Sequence, residues 1–210
     1  MKRLLAEIER VLPDGGEWCT LGKASTLAAL IVGLRPALVV EIGVFSGGSL
    51  IPMLLAMKHV GRGRAIAIDP WAAQASVVGM TGANEAWWAS VDHDAIYRKF
   101  LGRMEVLDVA PLCDVWRQPS DACTPPAGID LLHVDGNHAE QAIRDVERFA
   151  PNVNVGGILV LDDLNWEGGS VQGAHAIALR LGFVDRYPLD LGVVMQRIFV
   201  VRALLRRGDA

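Results

Sequence analysis

Three carboxylates and one imidazole stand where strand-like segments stop. Asp135 follows the apolar run 129–134, and His138 comes three residues later in Asp-Gly-Asn-His. Asp162 and Asp163 follow the run 158–161. In a parallel sheet such ends share one edge, so the three acids would converge. Like charges at close range are unfavourable unless a cation or proton compensates them. Hard oxygen donors suit Mg²⁺, Ca²⁺ or Mn²⁺. An ion held there would lower the pKa of a bound hydroxyl, and an imidazole near neutrality could take its proton. Together they would make an oxygen nucleophile. The plainer reading stays open: Asp135 and Asp162 as caps of the following turns, Asp163 as a cap or supporting residue, and His138 as an N-cap or surface group.

A second constellation lies upstream. The segment Glu41 to Ser49 places glycines at 43, 47 and 48 after the apolar run 37–42. Glycine there lets the chain turn tightly and approach a ligand without a Cβ in the way. Asp69 ends the next apolar run, 26 residues beyond Gly43, a spacing suited to accepting ribose hydroxyls. The turn is Gly-x-x-x-Gly-Gly with an acid two residues before it. It is neither the Gly-x-Gly-x-x-Gly of dinucleotide folds nor a Walker loop, and glycines that serve packing alone are the alternative.

The elements that must position these groups can be read from hydrophobic period. Helical spacing covers 1–12, ended by Pro13 and Gly15-Gly16, and 21–33, ended at Arg35-Pro36. Strands are expected at 37–42, 64–69, around 115–117, at 129–135 and at 158–162, the last after a Gly156-Gly157 turn, with two more between 183 and 205. Helices are expected at 49–57, 94–104, 139–150 and 171–181. Strands apolar along their whole length, alternating with helices, imply a parallel sheet covered on both faces. Residues 70–92 lose the pattern. With Trp71, Trp87 and Trp88 in it, the stretch reads as an irregular, ordered lid or pocket wall.

Composition narrows the class. The 210 residues suit one domain. Hydrophobic residues make up 51%, yet Arg35, Glu41 and several Gly and Pro residues interrupt the most apolar stretch, 27–57, so no membrane span is expected. The first ten residues do not resemble a signal peptide. A net charge of −4 without a basic block gives a nucleic-acid partner no support, and Arg202, Arg206 and Arg207 read as a solvated tail. Cys19, Cys113 and Cys123 lack metal or disulfide spacing. A cytoplasmic protein is expected.

The acid-x-Gly-x-x-x-Gly turn with Asp69 resembles motif I of class I S-adenosylmethionine methyltransferases. The resemblance implies a Rossmann-like, doubly wound, mostly parallel seven-stranded α/β sheet. Residues 1–34 would be a helical cover, 35–205 the core and 70–104 a lid or acceptor insertion, all in one domain. It implies S-adenosylmethionine as cofactor, bound by Glu41, Gly43, Ser46, Gly47, Ser49, Asp69, Trp71, Ser120 and Asp135. The tip acids resemble two related groups, the catechol-type metal-dependent O-methyltransferases and, more closely, the macrocin and mycinamicin sugar O-methyltransferases with their small bacterial relatives. Leu21-Gly-Lys-Ala, Val40-Glu-Ile-Gly and Leu132-His-Val-Asp follow the catechol enzymes in order, and the catalytic lysine position of that group falls on His138. This implies Asp135, Asp162 and Asp163 as ligands of Mg²⁺ or another divalent cation, Asp135 and His138 as the catalytic pair, and a small hydroxylated acceptor such as a sugar, phenol or polyol. Relatives often form dimers or larger assemblies, so a homo-oligomer is an expectation. Lys23 matches a lysine of the catechol entry helix, with a plain surface lysine as the alternative. Trp166 is a candidate wall of the acceptor site. His133 reads as structural, and His93 could reach the pocket from the lid.

Overall fold

The computed structural model describes residues 1–12, 18–166 and 168–198. The chain order is α1 (Lys2–Val11), α2 (Leu21–Leu34), β1 (Leu38–Ile42), α3 (Leu50–Val60), β2 (Arg64–Ile68), α4 (Ala73–Ser76), α5 (Gly82–Ser90) and α6 (His93–Val106). It continues with β3 (Cys113–Trp116), β4 (Ile129–Val134), α7 (Glu140–Phe149), β5 (Val153–Leu161), α8 (Ser170–Arg180), β6 (Phe183–Leu189) and β7 (Gly192–Arg197). Short 3-10 turns occupy Ala110–Leu112, Ser120–Ala122 and Ala150–Asn152.

The seven strands form one sheet in the order β3-β2-β1-β4-β5-β7-β6. The first five strands in that order run parallel, while β7 pairs antiparallel with β5 and with β6. This is the expected doubly wound α/β sheet, and the order reverses between β1 and β4. Ligands of such sheets bind at the carboxyl ends of the strands beside that reversal.

Side chains alternate along each strand and divide the core in two. Val39, Ala65, Ala67, Leu131 and Val160 pack on one face with α1, α2, α3 and Phe100 of α6. Val40, Ile42, Ile66, Leu132 and Leu159 pack on the other with Val146 and Phe149 of α7 and Ala174 of α8. Both faces are therefore dry, as the apolar strands require. Helix α2 begins where the Thr20 hydroxyl accepts the Lys23 N–H at 3.0 Å, and it stops at Arg35, whose left-handed φ of 49° precedes Pro36. Among the described residues, no helix is long and apolar enough to cross a membrane.

Two expectations need correction. Residues 70–92 are not irregular, because α4 and α5 lie within them. Neither helix has a fully buried residue, so no apolar stripe betrayed them. Gly156 and Gly157 do not form a turn before β5 but lie inside it. Gly156 takes a φ of 87° near a register shift in the β4–β5 pairing, so the glycine pair marks a bulge. The expected helix stop at Pro13 to Gly16, the arginines 202, 206 and 207, and any strand beyond residue 198 fall outside the described residues.

Candidate active site

Four strand ends meet on one edge because hydrogen bonding continues one residue past each strand. Gly43 N–H donates to the Ile68 carbonyl at 2.9 Å, Asp135 N–H to Ile42 at 2.8 Å, and Asp162 N–H to Val134 at 3.1 Å. Asp69, Gly43, Asp135 and Asp162 thus follow β2, β1, β4 and β5 in adjacent positions across the sheet.

The glycine turn is packed against the tip of β4. Gly43 has a φ of 85°, and a Cβ there would lie 2.1 Å from the Asp135 carbonyl oxygen. Asp69 clamps the turn. Its Oδ2 accepts the Val44 and Phe45 N–H groups at 3.0 and 2.9 Å, and its Oδ1 accepts the Trp71 N–H at 2.7 Å. Burial pushes the Asp69 carboxyl above its ordinary range, against the pull of those three N–H groups. Sequence spacing suggested a ribose acceptor; in the structure this carboxylate organises the turn. Trp71 is nearly fully buried, stacked on Phe100 at 5.6 Å, and its indole N–H donates to the Phe45 carbonyl at 2.7 Å. Its ring faces are used in the core, so it supports the turn from beneath.

Glu41 and Ser49 are both buried, and the Ser49 hydroxyl donates to Glu41 Oε1. Glu41 Oε2 is buried without a hydrogen-bond partner among the described residues. Ser46 is buried in the turn, and its carbonyl accepts from Arg103 of α6 at 2.6 Å. Arg103 also donates to the Val11 carbonyl at 3.1 Å. No local sequence signal marked Arg103, because its partners lie far away in the chain. Phe45, Trp18, Trp87 and Trp88 form one aromatic cluster outside the turn, with ring centroids 4.9–5.7 Å apart. It joins the segment before α2 to α5.

The acids separate into two groups. Asp135 and Asp162 face Lys23: its ammonium lies 2.9 Å from Asp135 Oδ2 and also contacts Asp162 Oδ2. His133 Nε2 lies 3.9 and 3.7 Å from the same two oxygens, and its Nδ1 lies 3.2 Å from Glu41 Oε1. His133 is thus fully buried within the acidic network. Burial pulls the Lys23 ammonium down, but the Asp135 charge and hydrogen bond outweigh it, and its pKa ends above the ordinary value. Asp163 turns the other way with a φ of 51°, and its Oδ2 lies 2.9 Å from His138 Nε2. As hydrogen-bond partner, His138 overcomes burial and holds the Asp163 carboxyl below its ordinary range. The His138 ring packs against Trp166 at 4.5 Å. His93, by contrast, is turned back to the Trp88 carbonyl at 3.2 Å.

The expected metal set Asp135, Asp162 and Asp163 is therefore not assembled as a single triad. Among the described residues, the donor groupings within 4.8 Å are His133, Asp135 and Asp162, already bridged by Lys23, and Asp135, His138 and Asp163. Lys23 is buried rather than a surface lysine.

Ser120 sits in the turn after β3, and its hydroxyl donates to Asp145 Oδ1 of α7 at 2.6 Å. Gln141 donates to the same oxygen at 2.9 Å, while Asp145 Oδ2 is buried without a partner among the described residues. Burial pushes the Asp145 carboxyl up from 3.8 to about 6. The folded state then holds this proton more tightly than the unfolded chain. Its stabilisation is complete below about pH 4 and is lost as pH rises to about 6, on the order of 3 kcal/mol in all. Urea unfolding across that window should show the fall, and Asp145→Asn should flatten it.

A family model described as a methyltransferase domain matches residues 40–164, from β1 through the Asp162-Asp163 pair. The chain belongs to this methyltransferase family. The fold agrees. The O-methyltransferase NovP superposes with a TM-score of 0.65 at 20% identity, covering 91% of this chain and 88% of that one. PaMTH1 of Podospora anserina, solved bound to S-adenosylhomocysteine, gives 0.62 at 13% identity over 93% and 88%. TomG of Streptomyces achromogenes, an O-methyltransferase of tomaymycin synthesis solved with S-adenosylmethionine, gives 0.60 at 16% identity over 93% and 89%. No curated protein matches the methyltransferase.

Proposed function

We propose that this methyltransferase uses S-adenosylmethionine and methylates an oxygen of a small hydroxylated acceptor, such as a sugar, phenol or polyol. The observation that carries the reading is the contact of the Gly43 turn with Asp135, which sets the acid and imidazole groups beside the cofactor turn. Glu41, Gly43, Ser46, Gly47, Ser49, Asp69, Trp71, Ser120 and Asp135 shape the cofactor site. Glu41 Oε2, buried and unpaired, is an acceptor that the ammonium of such a cofactor would suit.

When bound, S-adenosylmethionine supplies a methyl already activated by its sulfonium. The protein then has to align the acceptor, exclude water and remove one proton. Asp135 orients the acceptor hydroxyl. His138, steadied by Asp163 and Trp166, takes the proton, and Asp163 balances the charge that the ring acquires. The 70–104 segment and its aromatic cluster close over the acceptor as a lid on a single domain. A net charge of −4 without a basic block favours a small-molecule acceptor over nucleic acid, and a cytoplasmic homo-oligomer belongs to the same reading. Light scattering tests the last point.

Divalent-metal dependence, on Mg²⁺ above all, is the second reading. It is favoured by the donor group Asp135, His138 and Asp163 within 4.8 Å. Loss of turnover in EDTA and its recovery with Mg²⁺ would establish it.

Calorimetry with S-adenosylhomocysteine, followed by methyl transfer to a panel of sugars, phenols and polyols, tests the main reading. No binding, or binding without turnover on any acceptor, would refute it. Asp69→Ala strips partners from three turn N–H groups and should weaken S-adenosylhomocysteine roughly 100-fold or more in the same assay.

A further inference from the structure

We infer that Lys23 is the resident cation of this active site: its ammonium fills the position between Asp135 and Asp162, and methyl transfer runs there without a divalent ion. The inference rests on the proposed methyltransferase site and deepens it.

Lys23 Nζ lies 2.9 Å from Asp135 Oδ2 and touches Asp162 Oδ2. An ion ligated by both carboxylates would need that same point, since its oxygen ligands stand at about 2.0–2.6 Å. Two cations cannot share it. His133 Nε2, 3.9 and 3.7 Å from the same oxygens, lines the gap as well. Asp163, the acid that would complete a triad, is turned to His138.

The lysine is built into place. It is in the first turn of α2, where Thr20 accepts its backbone N–H at 3.0 Å. The Thr20 hydroxyl in turn donates to Asp190 Oδ2 at 2.6 Å, in the turn between β6 and β7. The same turn is fixed next to Asp162, because the Leu164 N–H donates to the Leu191 carbonyl at 2.8 Å. Only 5% of the Lys23 side chain is exposed, so this long chain has given up most of its rotamer freedom to sit between the acids.

A fixed ammonium supplies what an ion would give these two carboxylates: charge balance and a set orientation. It does not ligate two acceptor oxygens at once. Lys23 is therefore a positioning residue. It holds Asp135, whose side chain is 23% exposed, as the carboxylate turned toward the acceptor.

The test uses Mn²⁺ alone as a probe, followed by electron paramagnetic resonance, on the wild type, Lys23→Met and Lys23→Met with Asp162→Ala. The wild type should show no stoichiometric Mn²⁺ site and should keep its full rate in EDTA. Lys23→Met should gain one Mn²⁺ site, and the double variant should lose it. A stoichiometric Mn²⁺ site in the wild type, or a wild-type rate abolished by EDTA, would overturn the inference. So would a folded Lys23→Met that binds no Mn²⁺. If Lys23→Met does not fold, the wild-type arms still decide. S-adenosylhomocysteine binding is read separately, so failure of the methyltransferase reading would be distinguished from failure of the lysine.

Discussion

Gly43→Ala should abolish cofactor binding and cost the fold at least about 3 kcal/mol, the sum of backbone strain and overpacking. Two effects combine. The residue has a φ of 85°, outside the range an L side chain takes at low cost. The added Cβ would also meet the Asp135 carbonyl oxygen at 2.1 Å, its carbon at 2.4 Å and the Gly136 Cα at 2.5 Å. All three atoms are backbone, so no side-chain rotation relieves the clash. Relief requires the tips of β1 and β4 to separate, and that breaks the Asp135 N–H bond to Ile42. The urea midpoint should fall, and calorimetry should show no S-adenosylhomocysteine binding in the protein that remains folded. Gly61→Ala is the control. It also has a positive φ, 64°, but an added Cβ meets nothing within 4 Å, so only strain of about 1 kcal/mol is expected.

Asp135→Ala should reduce methyl transfer about 1000-fold, the scale of a lost group that orients and balances charge at the reacting centre. It should also destabilise the protein. Lys23 would keep Asp162 but lose its other anionic partner, and breaking a buried pair costs about 3–5 kcal/mol. The lower end is expected, because Asp162 remains and the Asp135 side chain is partly exposed. Asp135→Asn separates the two effects. The amide still offers Lys23 an oxygen, so stability should recover in part while the rate stays low. Thermal melts and initial rates on one preparation check both. Near wild-type turnover in Asp135→Asn would remove this carboxylate from the reaction.

Much of this molecule was legible along the chain because the relevant forces are local. The parallel sheet followed from strands apolar along their whole length, such as 38–42, which must bury both faces. The turn at 43–48 followed from glycines where an apolar strand ends, since few other residues can make that bend. The acids at 135 and 162 could be placed on one edge because parallel strands put like ends together. Helices α4 and α5 escaped because they cover no core and carry no apolar stripe.

Tertiary structure alone decided the rest. Lys23 and Asp135 are 112 residues apart, and nothing local to either marks one as partner of the other. Their meeting depends on α2 packing against α3 and on the β6–β7 turn reaching Thr20. The division of Asp162 from Asp163 likewise depends on the left-handed backbone at Asp163, which sends one carboxylate to Lys23 and the next to His138. Sequence thus determined which charges reach the edge of the sheet. The fold determined how they pair, because pairing depends on distances of a few ångströms between segments that the chain keeps far apart.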